Sequence, residues 1–144
     1  MGNERGVALV VAVLVMVTAT FLGIAAMMTS DIEVRISGNQ RVLEGAFYAA
    51  DGGIDNGLAW LITNVGITPP ADSELPTMNE TQREFGSGYH GQYRITDLKA
   101  TALPPPGWEV TLFQKRYYLV NSVGIGPVNA SKEVEVIASR VFPK

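Results

Sequence analysis

The chain has 144 residues, the length of one domain, with 11 Lys and Arg against 14 Asp and Glu and a formal charge of −3. That balance supplies no basic surface for nucleic acid and no acidic tail. Cysteine is absent and His90 is the sole histidine, which excludes disulfides, thiolate metal sites and cysteine nucleophiles and argues against a His-centred triad.

The 47% apolar content is unevenly distributed. From Gly6 through Ser30 no residue is charged, and Val7 to Met28 is interrupted in polarity only by Thr18, Thr20 and Gly23. As a helix the latter segment would be roughly 33 Å long, enough to cross a hydrocarbon core of about 30 Å. Three readings compete. A secretory signal could be cut near Val17-Thr18-Ala19, but the apolar run continues past that point. A plain membrane anchor needs nothing more, and a segment of a third kind would be cut before the apolar helix instead of after it. Arg5 before the segment and Asp31 and Glu33 after it favour a cytoplasmic N-terminus.

Helical periodicity continues beyond Ser30. Ile36, Leu43, Phe47, Ala50, Ile54, Leu58, Leu61 and Val65 form an apolar stripe, with Glu33, Arg41, Glu44, Asp51 and Asp55 opposite. A helix from about Val7 to Val65 is expected, roughly 88 Å long. Gly38, Gly45 and Gly52 fall seven residues apart within it, joined by Gly53 and Gly57. They predict either a smooth groove where a helix or sheet approaches closely, or a weak helix that breaks near Gly52-Gly53.

From Thr63 to Gly91 turn residues dominate, including Pro69-Pro70, Pro76, Gly86 and Gly88, so a long connection is expected. Strand patterns follow at Gln92–Leu98, Trp108–Phe113, Tyr117–Ile125 and Lys132–Phe142, with Gln114-Lys115-Arg116 as a hairpin turn. Four antiparallel strands with one apolar face need a cover, and the amphipathic half of the helix supplies it. The expected architecture is α+β, a long N-terminal helix packed on a four-stranded antiparallel sheet.

The blocks Arg5-Gly6-Val7-Ala8-Leu9-Val10-Val11-Ala12, Gly23-Ile24-Ala25-Ala26-Met27, Glu33, Arg35, Gly38-Asn39 and Ala46-Phe47-Tyr48-Ala49-Ala50-Asp51 occur in order over about residues 5–60. This region resembles the N-terminus of PilX-type minor pilins, within the type IV pilin and type II secretion pseudopilin superfamily. The resemblance implies a leader, residues 1–6, removed by prepilin peptidase after Gly6, leaving Val7 as a methylated N-terminus. It implies a transmembrane and filament-core half over 7–30, an amphipathic half over 31–65 and a C-terminal loop and β head over 66–144. Implied partners are other pilins or pseudopilins, prepilin peptidase, the inner-membrane assembly platform and the bilayer before assembly. Ala8, Ala12, Ala19 and Gly23 place small residues four apart for close helix contact in an apolar medium.

Two positions depart from the family pattern. Glu4 offsets Arg5 in a leader that is commonly basic, and Val11 stands where most pilins carry a glutamate five residues into the mature chain. In the family that carboxylate is thought to neutralise a neighbour's N-terminal ammonium. A subunit without it stacks poorly in a repeating core but fits a tip or initiating position.

Other chemistry is poorly supported. Asp51 and Asp55 lie one helical turn apart and read as a solvated face rather than a cation site. Asp72, Glu74, Glu80 and Glu84 lack calcium-loop spacing. His90 reads as an exposed turn residue, and Trp60, Trp108 and Tyr117-Tyr118 as core and sheet residues. The sequons at Asn79 and Asn129 carry little weight in a bacterial chain. No cofactor or catalytic residue is expected. A type IV pilus minor pilin is the leading reading, with a type II secretion pseudopilin or a secreted or anchored binding module as alternatives.

Overall fold

The computed structural model describes residues 3–78 and 81–144. The chain divides into two compact units, Met1–Gln40 and Arg41–Lys144, and helix α1 (Asn3–Thr63) contributes to both. In the first unit every side chain from Gly6 to Gln40 is exposed. The apolar residues there make a helix whose backbone bonds are closed internally, and its threonines close theirs as well. Thr18 Oγ1 donates to the carbonyls of Leu14 and Val15 at 3.0 and 2.9 Å, and Thr20 and Thr29 donate to Met16 and Ala25 at 2.8 and 3.1 Å. Hydroxyls satisfied one turn back leave little unpaired polarity on the apolar face. Asp31 and Arg35 pair at 3.0 Å where the charges resume.

In the second unit the rest of α1 lies on one antiparallel sheet of order β1-β2-β3-β4: Arg83–Gly86, Tyr89–Ala102, Phe113–Ile125 and Ser131–Pro143. The core is Ile54, Leu61, Val65, Leu75, Ile95, Tyr118, Val120 and Phe142, with Tyr118 and Phe142 edge to face at 6.3 Å. The α+β class is as expected from the sequence. The helix does not break at Gly52-Gly53. It ends at Thr63, where Asn64 Nδ2 bonds the Thr63 hydroxyl and Arg140 Nη1 of β4 donates to the Leu61 and Ile62 carbonyls. Pro69 and Pro70 then keep it from resuming.

The sheet has four strands, but their membership differs from the sequence reading. Trp108–Phe113 is not a strand apart from its last residue. Gln114-Lys115-Arg116 is no hairpin turn but lies inside β3, opposite Phe142, Val141 and Arg140. The true connection is 103–112, where Pro104-Pro105-Pro106 removes three backbone donors and Gly107 takes φ +100°. Trp108, with edge-on contact to Phe113 at 4.9 Å, belongs to that loop. The missed strand is β1, inside the expected long connection. Ser87-Gly88 joins it to β2 with both residues at positive φ, the conformation of a two-residue hairpin turn.

Candidate functional site

The residues singled out in the first 23 positions form no cleft. Gly6, Val7, Val11, Ala12, Ala19 and Gly23 are all exposed on α1. Ala12, Ala19 and Gly23, seven and four apart, share one helix face, and Val7 and Val11 are stacked one turn apart. A Cβ added at Gly6 or Gly23 would meet nothing within 4 Å. What these positions offer is therefore surface: backbone accessible at Gly6, a shallow line of small residues, and a neutral side chain at Val11. Val7 and Val11 are 60% and 55% exposed, a state that water does not favour for a helix apolar on all sides. Such a helix calls for lipid or other helices around it, and α1 has a stretch long and apolar enough to cross a membrane. Of the segment expected to be a leader, Met1 and Gly2 lie outside the described residues.

The second unit shows how the glycines and alanines are used. The face of α1 turned to the sheet is Ala46, Ala49, Ala50, Gly53, Ile54 and Gly57, all buried. It meets two strand glycines. A Cβ on Gly124 would collide with the Ala46 carbonyl and the Ala50 backbone nitrogen, and one on Gly91 with the Ala49 carbonyl. Gly53 and Gly57 are filled from the opposite side by the Ser122 and Val120 side chains. Helix backbone and sheet backbone approach closely because the helix presents only glycine and alanine, and the strands glycine, at the contact. Of the glycines seven apart, Gly45 and Gly52 receive the Tyr89 and Phe85 rings, while Gly38 meets nothing within 4 Å. The groove reading holds for Gly45 and Gly52, where the sheet approaches; Gly38 lies outside the part of α1 that meets the sheet. Leu43 and Phe47, expected in the buried stripe, are 38% and 46% exposed, displaced by this smaller-residue face.

The remaining candidates are dispersed. Asp51 and Asp55 are exposed, and among the described residues no cluster of three metal-ligating side chains is present. Asp72 pairs with Lys99 Nζ at 2.9 Å, Glu74 Oε2 accepts from the Ala71 amide at 2.8 Å, and Glu84 sits on β1. Asn79 and Glu80 lie outside the described residues. His90 is not an exposed turn residue: it is half-buried in β2, opposite Glu84 and Ile125. Tyr118 is fully buried and Trp60 packs against the core, whereas Trp108 is 48% exposed.

Sequence reasoning missed three polar arrangements. Asp97 and Arg116 form an ion pair at 3.1 Å, with the Asp97 side chain 4% exposed, beside the bulge where Lys99 takes positive φ. Asn121 Nδ2 donates to Glu133 and Glu135 at 2.6 and 2.7 Å. Arg140 caps α1. A charge at a strand position that alternation turns inward was the available signal for Asp97, Arg116 and Arg140.

No curated protein and no solved structure matches the chain. One family model does, described as PilX N-terminal, over residues 5–55. The match spans the apolar helix and the first turns over the sheet, the same stretch whose sequence blocks carry the resemblance. Residues 5–55 of this chain are thus similar to the N-terminal segment of that family.

Proposed function

We propose that the chain is a minor pilin, a structural subunit that initiates or tips a type IV pilus, and that it has no catalytic role. The carrying observation is a PilX-type α1 whose apolar residues are exposed from Val7 to Ile36, continuous with a helix segment seated on a sheet. Before assembly the apolar part lies in the inner membrane with its N-terminus cytoplasmic. Prepilin peptidase cuts after Gly6, where no side chain hinders access to the backbone, and the Val7 amine is methylated. After assembly the same surface packs against other pilins, with Ala12, Ala19 and Gly23 permitting close approach.

Val11 supports the tip position. No carboxylate lies between Gly6 and Ser30 to meet a neighbour's ammonium, so a stack of many such subunits would bury unpaired charges, each costing several kcal/mol. A single subunit at an end meets that cost at most once. Deleting the chain from its host should sharply lower the number of filaments, and sheared filaments of the wild type should hold it in trace amounts. Unchanged filament number, or a chain wholly retained in the membrane fraction, would contradict the proposal.

A further inference from the structure

We draw no further inference here: the strongest candidate, the outer edge of β4 with the open, mainly apolar cavity of about 370 Å³ beside Ile62 and Ala138, carries nothing because no feature among the described residues shows what covers it.

Discussion

At the scale of single residues, glycine has opposite meanings at two positions. Gly124 is required by contact: any side chain would enter the backbone of α1, which cannot rotate away. Gly124→Val should cost about 3 kcal/mol or more and lower the unfolding midpoint by roughly 10 °C. Gly38 is in open space on an exposed helix. Gly38→Ala should gain up to about 1 kcal/mol of local helix stability, seen as slower amide exchange around residue 38, with the midpoint unchanged. Equal effects of the two substitutions would refute the close-packing account. In sequence the helix glycines could be read as a groove or as a weak point, because spacing alone does not say which side of a helix meets a sheet. Gly91 and Gly124 held the missing information: glycine inside a strand pattern marks close approach of another backbone.

At the scale of elements, the long helix was legible because uncharged length and then 3.6-residue periodicity are strong signals. Its buried face was less so. Large residues such as Phe47 dominate a periodicity count, yet close contact with the sheet selected Ala46, Ala49, Ala50 and Gly53 and left Phe47 edge to face with Tyr48 at 6.0 Å. Strand ends were misplaced where charge was taken for a turn: Lys115 and Arg116 lie within β3, Arg116 using Asp97 as partner. Arg140 ties β4 to the end of α1, so Arg140→Met should cost about 1–2 kcal/mol and speed exchange in the last turn of α1. Unchanged exchange there would remove the capping role. Burial, reinforced by the nearby Asp97 charge, raises the Tyr118 pKa above its ordinary value of about 10. A raised folded-state pKa contributes stability that is complete below about pH 10 and lost as pH rises through the folded value. The protein should therefore lose stability in alkali, and Tyr118→Phe should flatten that loss in pH-dependent denaturation curves.

At the scale of the whole molecule, one chain carries both an apolar surface that must be covered by lipid or helices and a unit folded on its own sheet. Val11 separates two ways of covering it. At a tip, Val11→Glu places a carboxylate without an ammonium partner in an apolar setting, at a cost of several kcal/mol or with protonation. Fewer filaments should then start, with no rise in the amount of this chain per filament. More copies per filament in the variant would show that Val11 limits stacking in the body and would refute the tip position. Beneath both outcomes lies the claim that α1 enters the filament from a cut ahead of its apolar run. Mass spectrometry of the mature N-terminus tests that claim most directly. The account predicts a chain beginning at Val7 with a methylated amine; a chain beginning at Met1, or one cut near Ala19, would contradict it.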